Sequence, residues 1–210
     1  MKSTNQLGVW GALLLAACLI GYAFYELLFY PNAGFPTTDF AVIVAGVDTL
    51  RIGHWLKFGY ALSIALLMTS VQPRLRRVSA TLAQLGFLAG TSAIVLFLAS
   101  GHIGLRILAT AEETFATRPD EAIATILLRI VTLALFEAAG FAVGWYLLLS
   151  SIGGIRYGSL PQLLSWVGGG IGILFILARF LNDEVALIAP LATIGWSLWL
   201  GRVLGKKEQI

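Results

Sequence analysis

The sequence predicts an all-α fold: a polytopic membrane protein of six transmembrane helices, with an amphipathic outer helix between the first two. Three observations carry this. The chain is 58% hydrophobic and 12% charged, with a mean hydropathy of +0.86, far from the balance of a soluble domain of 210 residues. Its apolar residues fall into six stretches: 9–30, 54–71, 82–101, 123–150, 160–181 and 187–204. Each matches the roughly 20 helical residues that cross a hydrocarbon core of about 30 Å. The basic residues of the connections lie on alternate sides, and this alternation fixes the count of spans. The polar excursions 31–53 and 102–122 are too short to bury cores of their own, so residues 1–210 form one domain.

The first span contains Leu15-Ala16-Ala17-Cys18, which has the form of a lipoprotein cleavage box with Lys2 as its basic region. The apolar run continues well past Cys18, so the segment reads as an uncleaved transmembrane helix. Because Cys18 is the single cysteine, intrachain disulfides and cysteine-based metal sites are excluded. In the first outer loop, Phe35-Pro36-Thr37-Thr38-Asp39 is a helix-start signal, with Thr38 or Asp39 as cap. Phe40, Ile43, Val47 and Leu50 then recur at helical spacing, predicting an amphipathic helix that feeds the second span. The second outer loop, 103–116, also reads as helical and ends near Thr117-Arg118-Pro119. Pro119, Asp120 and Glu121 suit the first turn of the fourth span. Glycine pairs four apart occur in the third, fourth and fifth spans: Gly86 and Gly90, Gly140 and Gly144, Gly168 and Gly172. They predict close backbone approach between helices.

Orientation follows from the connections. Lys2, Arg74, Arg76, Arg77, Arg156, Arg202, Lys206 and Lys207 share one side, opposed there only by Glu208. Asp39, Asp48, Glu112, Glu113, Asp120, Glu121, Asp183 and Glu184 lie on the other. Lys and Arg near span ends stay cytoplasmic, so both termini are expected in the cytoplasm. The net charge of +3 is explained by this topology, and no nucleic-acid partner is expected.

Polar residues at membrane depth are the candidate ligand- or lipid-binding residues, because a charge there is costly unless it is paired or wetted. They are Glu26 in the first span, His54 and Lys57 at the start of the second, His102 and Arg106 where the third leaves the membrane, Arg129 and Glu137 in the fourth, and Arg179 near the end of the fifth. Lys57, Arg106 and Arg179 are near enough to the interface to snorkel; Arg129 suits either snorkelling or a site. Glu26 and Lys57 are expected to be near neighbours, with Arg129 approaching them. Glu137 lies about 12 Å along the axis from Arg129, too far to pair with it. It is expected to face other helices as a neutral carboxyl, alongside Ala134, Gly140 and Phe141, because a lipid-facing carboxyl would lack partners.

No catalytic residue is assigned. Nucleophile elbows, phosphate loops and dinucleotide fingerprints are missing, and no His-x-x-x-His or carboxylate cluster suggests a metal. No cofactor is predicted; haem between His54 and His102 is the alternative, and it requires both imidazoles in one cavity.

Three short stretches resemble a bacterial membrane family catalogued as domain of unknown function 4386: Leu50-Arg51-Ile52-Gly53-His54, Gln72-Pro73-Arg74, and Ile155-Arg156-Tyr157-Gly158-Ser159-Leu160-Pro161 before a Gly-rich fifth span. The resemblance implies six helices and a bacterial inner-membrane location, and brings no activity or site residues. The expected function is therefore a non-catalytic accessory subunit that packs in the bilayer against membrane-protein partners. The alternatives are a small-molecule or lipid-binding protein or enzyme using the outer cationic cluster, and a haem- or quinone-binding redox subunit.

Overall fold

The computed structural model of the chain describes residues 2–29, 46–117, 122–178, 180 and 183–205. It is all-α. Six helices follow in order: α1 (Lys2–Phe24), α2 (Val47–Val78), α3 (Ala80–Thr117), α4 (Ala122–Tyr157), α5 (Gln162–Leu177) and α6 (Asp183–Gly205). Consecutive helices pack side by side and α6 returns to α1, so they close a ring; α2 and α4 also touch across its interior. Three stretches within these helices are long and apolar enough to cross a membrane: Asn5–Leu27, Ala80–Thr110 and Ile126–Tyr157. The apolar α5 is shorter, and α2 carries Asp48, Arg51, His54 and Lys57 in its first turns and Arg74, Arg76 and Arg77 in its last.

Helices α1, α2, α3, α4 and α6 continue the hydrogen-bonded ladder into polar residues that hydropathy excludes, whereas α5 is shorter than its expected stretch 160–181. The clearest correction concerns 103–116. This segment is not a separate loop helix but the direct continuation of the third span, within the single helix Ala80–Thr117. Likewise α2 runs to Val78 through Pro73, and only Ser79 separates it from α3. Ser79 takes an extended backbone, and its Oγ accepts from the Leu82 amide at 3.2 Å, a side-chain cap that starts α3. At the end of α4, Gly158 takes a φ of +70° with open space around it. It is glycine for its backbone, and that turn brings the Ser159 amide back to the Gly153 carbonyl at 3.4 Å. Of the expected amphipathic stripe, Phe40 and Ile43 lie outside the described residues; Val47 and Leu50 belong to α2 and are buried.

Ser and Thr hydroxyls inside the helices bond back to carbonyls three or four residues earlier, as at Ser63, Thr132, Thr193 and Ser197. They enter the interior with their polar groups satisfied. Small residues set the tightest crossing. A Cβ on Gly144 would lie 2.8 Å from the Gly172 carbonyl, and one on Gly172 would lie 2.7 Å from the Gly144 carbonyl. The α4 and α5 backbones are thus in direct contact. Gly140 has only an ordinary contact, Phe175 at 3.8 Å, so within its pair Gly144 alone makes the crossing. At the α5–α6 seam, the Trp196 indole lies against Gly168 and donates to the Leu164 carbonyl at 3.0 Å. Gly11, which the paired motifs did not single out, brings α1 equally close to α2: its Cβ would be 2.8 Å from the Leu67 amide.

Candidate functional site

One end of the bundle is polar inside. The buried stripe of α2 runs Leu50, Gly53, Lys57, Tyr60, Ala61, Ile64 and Leu67 at three- and four-residue spacing, and Lys57 is part of it. The ammonium therefore points inward. Lys57 is 6% exposed, its Nζ donates to Ser100 Oγ at 2.9 Å, and it lies 5.1 Å from the centroid of the Phe136 ring. Snorkelling, expected from its place near a span end, is ruled out by this register. Ser100 in turn donates to the Thr132 carbonyl at 2.7 Å, so one relay of polar groups joins α2, α3 and α4.

Around Lys57 is a cavity of about 80 Å³, lined among others by Tyr22, Glu26, His54, Arg129 and Phe136. Tyr22 and Glu26 come from the end of α1, where Tyr25–Phe29 continues as a single π-helical turn. Tyr22 stands one turn before Glu26 on the same face, so its hydroxyl and the Glu26 carboxylate line the same cavity. His54 and Lys57 come from one face of α2, and Arg129, Thr132 and Phe136 from one face of α4. Arg129 is close enough to Tyr25 and His54 to act on both through its charge. Two glycines make room. A Cβ on residue 104 would occupy the place of the His54 imidazole, and one on residue 53 would lie 2.9 Å from the Tyr25 ring. Beside the cavity, the rings of Tyr22, Tyr60, Phe97 and Phe136 pack in tilted and edge-on pairs with centroids 5.3 to 6.5 Å apart.

Four of the candidates are thus brought together: Glu26, His54, Lys57 and Arg129. Glu26 and Lys57 both line the cavity, but no ion pair joins them among the described residues; Lys57 is held by Ser100 instead. His54 Nδ1 is buried with no hydrogen-bond partner among the described residues. His102 and Arg106 are exposed on α3 and do not line the cavity, so the two histidines do not share a chamber. Arg179 lies outside the described residues.

Glu137 is the main correction. It is exposed, as are Ala134 and Phe141 on its stripe, whereas the packing face of α4 is Thr132, Ala139, Val143 and Tyr146. Adjacent helical residues diverge by about 100°, so Phe136 reaches the cavity while Glu137 turns outward. Sequence reasoning missed Tyr22, Ser100, Thr132 and Phe136, which are ordinary constituents of an apolar helix. For Tyr22 a signal was present, since it stands one turn before Glu26.

Among the described residues, no group of three or more His, Cys, Asp or Glu side chains could hold a metal ion. The chemistry available is hydrogen bonding and charge: two cations, one carboxylate and an imidazole in an aromatic-walled chamber. No family model matches the chain, and neither any curated protein nor any solved structure matches it.

Proposed function

We propose that the chain is a six-span protein of the bacterial inner membrane, with both termini cytoplasmic, that holds the anionic head of a small membrane-borne ligand in this cavity. The alternation of basic and acidic connections supports the topology, and the resemblance to the domain of unknown function 4386 supports the location. In this orientation the cavity belongs to the outer leaflet. The observation that carries the binding function is the convergence of Lys57, Arg129 and the His54 Nδ1, which has no hydrogen-bond partner among the described residues, on one chamber where Glu26 is the only acidic residue among the described lining. A carboxylate or phosphate oxygen entering there meets cationic donors already positioned by the helices. Leu133 lines the chamber and is also exposed, which gives an apolar tail a way out to the bilayer.

The test is extraction of the full chain, purified in mild detergent, followed by mass spectrometry of small anions and lipids. Wild type should retain an acidic species that Lys57→Met loses. Equal retention by both, or none by wild type, would contradict the reading.

A second reading, an accessory subunit of a larger membrane assembly, is favoured by Glu137. It stands on an exposed surface with Leu127, Ile130, Phe141 and Trp145. A partner span covering that surface would remove the carboxyl from lipid, where it is costly. Subunits that co-purify with wild type and are lost from Glu137→Leu would support it.

A further inference from the structure

At the opposite end of the bundle, the α2–α3 hinge forms a second groove, of about 710 Å³, lined by Gln72, Pro73, Arg76, Ala80, Ala83, Gln84, Phe87 and Leu88. We propose that this groove is a binding site for a phospholipid with an anionic headgroup, drawn from the leaflet opposite the cavity.

The lining is graded along the helix axis as a phospholipid is. Arg76 and Gln84 are exposed near the hinge, and Phe87 and Leu88 are 55% and 62% exposed further along. From Ala80 to Leu88 the rise is about 12 Å, which spans headgroup, glycerol and the first acyl carbons. The α3 stretch Ala80–Thr110 is apolar and long enough to cross the membrane, so a groove beginning at its first residue opens at the membrane surface.

The charge complements the occupant. Arg76 makes no hydrogen bond or ion pair through its side chain among the described residues, whereas its neighbour Arg74 reaches Asn5 Oδ1 at 3.4 Å. The guanidinium of Arg76 therefore has its donors available to a phosphate. The amino-terminal turn of α3, capped by Ser79, presents the positive end of its dipole to the same place.

The groove wall is built to stay open. The Gln72 carboxamide, oriented by its bonding network, donates to the Ala83 carbonyl and accepts from the Phe87 amide, each at 2.9 Å. This ties α2 to α3 below the headgroup level. Gly86 leaves room for that carboxamide, since a Cβ there would lie 3.1 Å from its oxygen, the atom that accepts from Phe87. Pro73 has no amide to donate, which removes one rung of the α2 ladder on the groove side.

The experiment uses the full chain in phosphatidylcholine nanodiscs doped with phosphatidylglycerol, with retained lipid read by native mass spectrometry. Wild type should enrich phosphatidylglycerol over phosphatidylcholine. Arg76→Gln, a surface change that leaves the fold intact, should lower that enrichment about fivefold. Arg202→Gln, an exposed arginine in the last turn of α6 and outside the groove, should leave it unchanged. Excess inorganic phosphate should not displace the lipid; displacement would assign the site to a free anion and overturn the lipid. No enrichment in wild type, or equal enrichment in wild type and Arg76→Gln, would also overturn the inference. Loss of enrichment in Lys57→Met but not in Arg76→Gln would move the lipid to the cavity and overturn it too, while leaving the cavity reading standing.

Discussion

The cavity end and the α4–α5–α6 seam are made by opposite choices of residue. At the seam, Gly144 and Gly172 put two backbones in contact, and Gly168 receives the Trp196 indole. At the cavity end, aromatic rings and long polar side chains hold the helices apart. The glycines there, Gly53 and Gly104, admit Tyr25 and His54 side chains rather than a neighbouring backbone. The same residue type thus does two jobs. In the seam it lets two helix backbones touch. Around the cavity it positions the groups of a site and forgoes dense packing, at a cost in dispersion contacts.

That contrast can be broken most forcefully at the seam. Gly144→Leu should destabilise the protein by about 3 kcal/mol or prevent folding, because the carbonyl it meets cannot move aside as a flexible side chain can. Gly140→Ala, one turn away, should be almost silent. Thermal unfolding in detergent compares the two; similar losses at both positions would show that the crossing is not at Gly144.

At the cavity end, Ser100→Ala should cost about 2 kcal/mol, since it strips a buried ammonium of its acceptor. Lys57→Met removes the charge itself and should cost less than Ser100→Ala, because an apolar isostere needs no partner. Were Lys57→Met the more harmful of the two, Lys57 would serve stability rather than binding. A smaller effect is expected for Trp196→Phe, which keeps the ring but loses the bond to the Leu164 carbonyl, at about 1 kcal/mol. The smallest belongs to Glu137→Leu, within about 0.5 kcal/mol for the isolated chain, because its side chain is exposed. A large loss there would show that Glu137 does structural work within the chain.

Much of the architecture was legible because long apolar stretches mark where helices run. The apolar stretches mark the helix interiors, and the glycine pairs locate the α4–α5 crossing to within one turn. Helix ends were not legible. Backbone ladders extend through Arg74 to Val78 and through Glu112 to Thr117 regardless of side-chain polarity. In the site, Lys57 was legible in principle, since Leu50, Ile64 and Val71 place it on the buried stripe of α2. Nearness to a span end argued for snorkelling, and the periodicity was the better guide. Glu137 failed for the opposite reason. Residues at its three- and four-residue spacing are small, which suggested a packing face, but the exposed stripe of α4 is as apolar as the buried one. Along α4, hydrophobicity therefore does not separate the buried face from the exposed one. Ser100 and Thr132 carry no sequence signal at all, because their role exists only once α2, α3 and α4 are brought together.

The claim that the polar end is a binding site, and the seam only a joint, is tested most directly by an experimental map of the full chain purified from its native membrane. The account predicts non-protein density in the chamber, within hydrogen-bond distance of both Lys57 Nζ and His54 Nδ1, with Lys57 still bonded to Ser100. A collapsed chamber, with Lys57 swung into a direct ion pair with Glu26 and His54 bonded to protein, would contradict it.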